Sequence, residues 1–301
     1  MPVESPITPQ QITEQVLASF EATPDPRRRE LMQAFVSHLH AFVTEVALTE
    51  KEWAQAIGAL TATGHLTDDK RQEFILWSDT LGVSMLVDSI ANAVPSGATE
   101  STVLGPFYVA DSPLRERGAN MAEQEAGVPA WVTGRVLDLE GRPLAGAELD
   151  IWQNGDNRLY AVQDPDAPDD HLRGRYRTDA EGRFAFQAVR PVPYTIPDDG
   201  PVGAMLQASG RHPWRPAHIH VVIRAPGHRS VTTHIFDAAS EHLDGDTVFA
   251  VKSSLVKEFR ERAADDPERP PGVDVPWVSL QLDLVLAPGD DGAPVDRGRT
   301  H

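Results

Sequence analysis

The chain has 301 residues, no cysteine and a formal net charge of −18 at pH 7. The lack of cysteine excludes disulfides, zinc–thiolate sites, iron–sulfur clusters and cysteine nucleophiles, so a metal site here needs nitrogen and oxygen ligands. The negative charge argues against nucleic acid or an anionic membrane as a partner, because these carry charge of the same sign. The sequence has no basic, apolar leader and no long apolar run, and we therefore expect a cytoplasmic protein.

Helical periodicity marks roughly the first third of the chain and predicts four helices. They are predicted to begin, with recognisable capping residues, at Thr8, after Asp25, at Thr49 and at Thr67. Gly64 is expected to lie past the end of the third helix. The fourth helix, expected to reach about Val94, is apolar nearly all round, which predicts burial on several sides. We predict a helical N-terminal domain over residues 1–95.

The hydrophobic period changes to two after a connecting segment, residues 96–130, that is rich in glycine and proline. Many short alternating stretches with turn signals between them predict an antiparallel β-sandwich over residues 131–288. A short helix over residues 246–262 is expected to interrupt the strands, and the tail 289–301 is expected to be disordered. The predicted fold class is therefore mainly β, with an α-helical N-terminal domain.

His218 and His220 are the first candidate metal ligands. They run into the β-branched residues 221–223, which favour an extended chain. Side chains two residues apart on a strand point to the same face, about 6.5–7 Å apart, and two imidazoles at that spacing can converge on one metal ion. On this pair alone, the alternative of two ordinary half-buried or surface histidines stays open.

Two of the four tyrosines lie in loops of unusual composition. Tyr160 precedes a loop rich in proline and aspartate, and Tyr194 lies between two prolines. Proline fixes the backbone, and rigid loops on a sheet scaffold often carry functional side chains. For either tyrosine alone, the ordinary alternative is a half-buried ring with its hydroxyl in water.

The order and spacing of these motifs resemble those of the intradiol ring-cleavage dioxygenases, a family of non-haem Fe(III) enzymes. The segments that carry the resemblance are 134–153, Tyr160, 172–182, 193–203 and 211–220. The resemblance implies one Fe(III) per subunit, and by motif position its ligands are Tyr160, Tyr194, His218 and His220. Arg215 falls on the active-site arginine of the family.

The family resemblance also implies a reaction, which is cleavage of an aromatic diol by O₂ between its two hydroxylated carbons. A phenol with a pKa of about 10 binds metal at neutral pH only where a hard, highly charged ion keeps it deprotonated. Tyr194 is implied to give way to the diol and to accept one of its protons. Arg215 is implied to stabilise negative charge on the ring in a dry pocket.

Within the family, the chain is most similar to members that cleave hydroxyquinol, through residues 76–79, 101–107 and 246–252. By position, the implied substrate pocket is lined by Leu76, Asp79, Val103, Leu104, Gly105, Pro106, Phe107, Ile196, Pro197, Arg215 and Val248. Asp79 either accepts a hydrogen bond from the third ring hydroxyl or is an ordinary polar-face residue. Leu104 departs from the Phe of some relatives, and His234 stands where many catechol-cleaving members have Gln. Both departures leave catechol or a substituted catechol open as substrate.

A different class of function also remains open. Non-catalytic sandwich domains that bind ligands carry a similar glycine, aspartate and proline pattern to that of residues 134–147. The resemblance further implies a homodimer formed through the helical domain, with a bound lipid at the dimer interface. The sequence itself shows only broad apolar faces on the second and fourth helices.

Overall fold

The computed structural model describes residues 7–68, 71–123 and 125–289. The helices of these residues are α1 (Pro9–Ala18), α2 (Pro26–Glu45), α3 (Glu50–Leu66), α4 (Glu73–Thr80), α5 (Val83–Ala91) and α6 (Pro201–Ala208). The strands are β1 (Pro129–Asp138), β2 (Glu148–Trp152), β3 (Arg173–Arg177), β4 (Arg183–Val189), β5 (Tyr194–Thr195), β6 (Trp214–Arg215), β7 (His218–Arg224), β8 (Val231–Asp237), β9 (Val256–Lys257), β10 (Arg260–Arg262) and β11 (Trp277–Leu286). Of the tail predicted to be disordered, residues 290–301 lie outside the described residues.

The chain divides into two compact units, Met1–Ala62 and Thr63–His301. The boundary falls inside α3, so α4 and α5 belong to the same unit as the sheets, and the domain limits given above stay a prediction. In the first unit, Thr8 and Gln11 form a capping box at the start of α1, and Asp25 accepts hydrogen bonds at the start of α2. The broad apolar face of α2 is exposed and comprises Leu31, Phe35, Leu39, Phe42, Val43 and the C-cap residue Val46.

Two predicted helix boundaries are wrong. Helix α3 continues past Gly64 to Leu66, since Gly64 does not adopt the positive φ of a helix-ending glycine. In this last turn, the hydroxyl of Thr63 accepts a hydrogen bond of 2.9 Å from Trp77 Nε1. The single fourth helix is two helices, since Gly82 between α4 and α5 has a φ of +73°, which glycine adopts at little cost. The two helices bend by 75° at this point.

The prediction that the fourth helix is buried on several sides holds for α4, in which Phe74 is the one exposed residue, but is wrong for α5. Helix α5 buries a polar face, on which Asp88 accepts hydrogen bonds from Asn92 and Ser101, and it exposes the apolar residues Leu86, Val87 and Ile90. A buried carboxylate requires such partners, and they fix which face turns inward. No single described helix is long and apolar enough to cross a membrane; α4 and α5 meet that test only when joined across their bend.

Two sheets form the sandwich, with strand orders β10-β11-β1-β4 and β3-β2-β7-β8-β9. The predicted class, mainly β with helices in the N-terminal region, is confirmed. Within it, β1 pairs with β11 and β8 pairs with β9 in parallel, so both sheets are mixed. The alternation of a strand shows which side chains are buried but gives no information on the direction of its neighbour.

The helix predicted over residues 246–262 is wrong. That segment contains one short 3₁₀ turn, Ser253–Leu255, followed by β9 and β10. Both strands pair at a sheet edge, β9 with β8 and β10 with β11, and so satisfy backbone groups that an open edge would leave unpaired. Pairing of this kind overrides the weak local preference for a helix.

Gly134 in β1 has no room for a side chain, since a methyl group there would lie 1.8 Å from Leu282 O and 2.8 Å from Phe184 Cζ. We expect Gly134→Ala to lower the free energy of unfolding by about 1–3 kcal/mol or more, which is the usual cost of overpacking. Urea denaturation measures this change. The control is Gly64→Ala in α3, where the added methyl group meets no atom within 4 Å. It should be neutral or stabilising by up to about 1 kcal/mol. Wild-type stability in Gly134→Ala would contradict this packing.

Candidate active site

Strand β7 separates the core from the candidate site by its alternation. Its odd-numbered residues belong to the core between the two sheets, namely Ile219, Val221 and Ile223. His218 and His220 therefore project from the opposite face, as the sequence predicts, and both are buried. Their Nε2 atoms lie 3.1 Å apart. His218 Nδ1 donates a hydrogen bond of 2.7 Å to the carbonyl oxygen of Pro216, which leaves its Nε2 lone pair free for a metal ion.

The two predicted tyrosines meet these histidines. The hydroxyl oxygen of Tyr160 lies 3.0 Å from His220 Nε2 and 3.4 Å from His218 Nε2. The ring of Tyr194 lies 5.3 Å from that of Tyr160 and 5.6 Å from that of His218. All four side chains are at most 2% exposed. The structure thus brings together four residues that the sequence spreads over 61 positions, from 160 to 220.

The two tyrosines and two histidines are better suited to bind a metal ion than to contact one another without one. Burial raises the pKa of Tyr160 well above its usual value, and the neighbouring Tyr194 raises it further. Burial also lowers the pKa of His218 and His220 well below the usual value, so the protein alone favours neutral rings. Bonds of about 2.0–2.2 Å from one ion to nitrogen and oxygen place neighbouring ligand atoms near 3 Å apart, as here. Two phenol and two imidazole groups suit a hard trivalent ion such as Fe(III).

Arg215 adjoins this cluster from β6, which pairs with β5 so that Arg215 lies opposite Tyr194. Its Nη1 lies 3.3 Å from the hydroxyl of Tyr194 and 3.4 Å from His218 Nε2. On its other side Arg215 contacts Asp246, with Nε 3.1 Å from Oδ1 and Nη2 3.4 Å from Oδ2. Burial opposes the charge of Arg215, but Asp246 and the two tyrosines outweigh this and raise its pKa.

Asp246 is a site residue whose role sequence reasoning missed. It lies 31 positions from Arg215, and in the sequence it stands out only as part of the segment 246–252 that carries the family resemblance. The signal that could have found it is general: an arginine placed in a dry pocket needs a carboxylate partner nearby. Trp152 was missed in the same way, and its ring stacks on His220 at 4.6 Å.

The residues predicted to line the substrate pocket fall into two apolar clusters. One contains Leu76, Val103, Ile196 and Val248. The other contains Phe107, with Leu104 packed against it, together with Tyr160 and Tyr194. Phe107 stacks on Tyr160 at 4.6 Å, so this second cluster reaches the candidate ligands directly.

The remaining pocket residues differ in how closely they approach the site. A methyl group on Gly105 would lie 3.4 Å from His220 Cε1, which places this backbone against the histidine. Asp79 is buried in α4, on the face that also buries Leu76. Pro106 and Pro197 are half-buried neighbours of these residues in the chain.

Comparison with known proteins decides the family. Residues 103–287 match the family model described as "Dioxygenase", and residues 25–99 match the one described as "Catechol dioxygenase N terminus". The chain belongs to the intradiol ring-cleavage dioxygenases. The resemblance noted in the sequence and the prediction of an enzyme are thereby confirmed. The family uses non-haem iron and acts on aromatic substrates with O₂. The alternative of a non-catalytic sandwich domain is therefore rejected.

Several relatives of this dioxygenase are similar over nearly their whole length. Hydroxyquinol 1,2-dioxygenase of Nocardioides simplex is 48% identical over 284 residues, which cover 93% of this chain and 95% of the relative. The crystal structure of hydroxyquinol 1,2-dioxygenase from Pseudomonas putida has a TM-score of 0.88 at 52% identity, with 93% and 99% covered. That of catechol 1,2-dioxygenase from Pseudomonas arvilla has a TM-score of 0.82 at 30% identity, with 97% and 94% covered.

Proposed function

We propose that this dioxygenase cleaves hydroxyquinol, 1,2,4-trihydroxybenzene, with O₂ to 3-hydroxy-cis,cis-muconate, the acyclic acid that is isomeric with maleylacetate. We further propose that each subunit holds one Fe(III) through Tyr160, Tyr194, His218 and His220. The observation that carries the metal site is the approach of Tyr160, His218 and His220 donor atoms to within 3.0–3.4 Å of one another. The substrate rests on similarity to relatives named hydroxyquinol 1,2-dioxygenase.

The protein groups around the proposed iron have separate tasks. Fe(III) when bound would supply a hard trivalent centre that keeps phenol and diol oxygens deprotonated and withdraws electron density from the ring. We assign Tyr194 as an acceptor for a substrate proton, because its hydroxyl oxygen lies within the proposed ligand set and 3.3 Å from Arg215 Nη1, which holds it in place.

Arg215 is assigned to stabilise negative charge on the bound diol. Its guanidinium is buried, and Asp246 fixes its orientation from behind, so little reorganisation is needed when charge develops on the ring. The apolar clusters around Leu76 and Phe107 exclude water, and this strengthens every electrostatic contact inside the pocket.

We expect the bound substrate to contact one carboxylate of the pocket, that of Asp79. Asp79 is buried on α4 beside Leu76, and a carboxylate at that place would accept a hydrogen bond from the third hydroxyl of hydroxyquinol. Catechol remains the second candidate, because a catechol 1,2-dioxygenase of Candida albicans is 38% identical over 92% of this chain and 92% of its own length.

Oxygen uptake by the iron-loaded protein tests this function. We expect kcat/KM for hydroxyquinol to exceed that for catechol by at least about tenfold, since a pocket group built to bind a hydroxyl discriminates against a ring without it. Protein treated with an iron chelator should consume no O₂ with either diol, and the loaded protein should show a visible tyrosinate-to-iron charge-transfer band. A preference for catechol would contradict the substrate, and a colourless iron-replete protein would contradict tyrosine ligation.

We also propose that the protein is a homodimer formed through its helical domain. The support is the exposed apolar face of α2, defined above, because a row of large apolar side chains on one helix is typical of a surface that another subunit covers. A lipid bound at the dimer interface is part of the same proposal, since the face offers aliphatic and aromatic contacts to an acyl chain.

A further inference from the structure

A third buried histidine faces the candidate metal centre, and the proposed ligand set does not use it. His234 lies on β8 directly opposite His220, and its ring lies 4.2 Å from that of His220 and 4.6 Å from that of His218. One of its ring nitrogens is within 4.8 Å of ligand nitrogens of both histidines. By position alone, His234 could be a further ligand or a neutral group beside the ligands, and the partner of its Nδ1 distinguishes the two.

Among the described residues, the ring of His234 makes one hydrogen bond, which joins its Nδ1 to the hydroxyl of Thr102. Both side chains are buried, and the Thr102 hydroxyl makes no other hydrogen bond among the described residues. A buried hydroxyl hydrogen without an acceptor is costly, so the hydroxyl donates and Nδ1 accepts. No carboxylate in the described part of the chain contacts this ring, and a neutral imidazole that accepts at Nδ1 carries its hydrogen on Nε2.

His218 provides the opposite case two strand positions away. Its Nδ1 meets the carbonyl oxygen of Pro216, which can only accept, so its hydrogen is on Nδ1 and its Nε2 has a lone pair. A metal can bind that lone pair, whereas it cannot bind a nitrogen that carries hydrogen. The hydrogen-bond partners at Nδ1 therefore assign opposite tautomers to His218 and His234, whose rings lie 4.6 Å apart.

We propose that His234 is a hydrogen-bond donor to an oxygen of the bound diol rather than a metal ligand, and that Thr102 fixes its donor tautomer. This inference rests on the proposed function. Its support is that His234 Nε2 is buried and has no hydrogen-bond partner among the described residues. A diol bound at this centre brings anionic oxygens, which are the acceptors that such a donor lacks. His234 is then a substrate-binding residue, and Thr102 is a positioning residue.

Iron content separates a ligand from a neighbour of the ligands. We expect both the wild type and His234→Gln in the full chain to retain one iron per subunit after dialysis, whereas His220→Gln should lose most of its iron. Gln is a suitable replacement because its amide can still donate a hydrogen bond. Loss of iron from a folded His234→Gln protein, with wild-type circular dichroism, would overturn the proposal.

Binding of a coloured diol, 4-nitrocatechol, tests the donor itself by equilibrium titration without turnover. His234→Leu removes the donor and should weaken binding about 10- to 100-fold, the range expected for a hydrogen bond to a charged acceptor. His234→Gln should rescue binding to within a few-fold of wild type. An unchanged dissociation constant in His234→Leu would reject the donor role, even if that variant keeps its iron.

The tautomer can be read in the iron-free protein, independently of any reaction. With ¹⁵N-labelled histidine, the signal absent from His234→Gln should show a protonated Nε2 and a bare Nδ1 in the wild type. Thr102→Val removes the donor to Nδ1 and should shift this tautomer equilibrium. A wild-type His234 protonated at Nδ1 would overturn the proposal, and this reading stands even if the His234 variants fold poorly. If wild-type protein binds iron but cleaves no diol, the proposed function fails separately.

Discussion

Tyr160→Phe is expected to lower the affinity of the protein for iron by at least about 100-fold and to abolish diol cleavage. The hydroxyl of Tyr160 lies within 3.4 Å of both histidine Nε2 atoms, and the substitution removes only this oxygen. Removal of an outer partner of a metal ligand already costs about 10- to 100-fold, so removal of a ligand should cost more. The ring that stacks on Phe107 is kept, and the fold should therefore survive. Iron titration followed by the charge-transfer band, with circular dichroism, measures both outcomes.

Tyr176→Phe is the matched control for this substitution. Tyr176 is also a fully buried tyrosine, but its hydroxyl donates to the backbone oxygen of Ala119 in the core of the sandwich. Its loss should cost about 1 kcal/mol of stability and leave iron affinity unchanged. If Tyr160→Phe kept wild-type iron affinity and turnover, Tyr160 would not be a ligand.

The second large effect is expected at Arg215. Arg215→Leu should retain iron, because the four proposed ligands are intact, and should lower kcat about 10²- to 10³-fold, as loss of a fixed charge-stabilising donor does elsewhere. The same substitution leaves the Asp246 carboxylate buried without its cation. We therefore expect the free energy of unfolding to fall by about 3–5 kcal/mol.

A double variant separates the catalytic effect from the structural one. Asp246 also accepts hydrogen bonds from the backbone N–H groups of Val248, at Oδ1, and Ala250, at Oδ2, and asparagine keeps one of these two acceptors without a charge. Arg215→Leu combined with Asp246→Asn should recover part of the stability while kcat stays low. Recovery of kcat together with stability would show that Arg215 acts only through the fold.

Much of the helical region and of the site geometry follows from local patterns in the sequence. The capping residues Thr8 and Asp25 mark the starts of α1 and α2, because their side chains satisfy backbone N–H groups at those ends. The placement of His218 and His220 on one face follows from the period of a strand whose other face carries Ile219, Val221 and Ile223. The two tyrosines were located by resemblance, since no local physical pattern marks a loop tyrosine as a ligand.

The alternation of strands, the helix caps and the motifs that carry the chemistry can be predicted from the sequence, because they depend on neighbours a few positions away. The partner of each buried polar group depends instead on the packing of distant segments. Arg215 meets Asp246 across 31 positions, and His234 meets Thr102 across 132. The parallel pairing of β1 with β11 and the polar buried face of α5 were decided in the same way. A buried charge or an imidazole hydrogen must find its partner wherever the packed chain places one, and no local periodicity records that place.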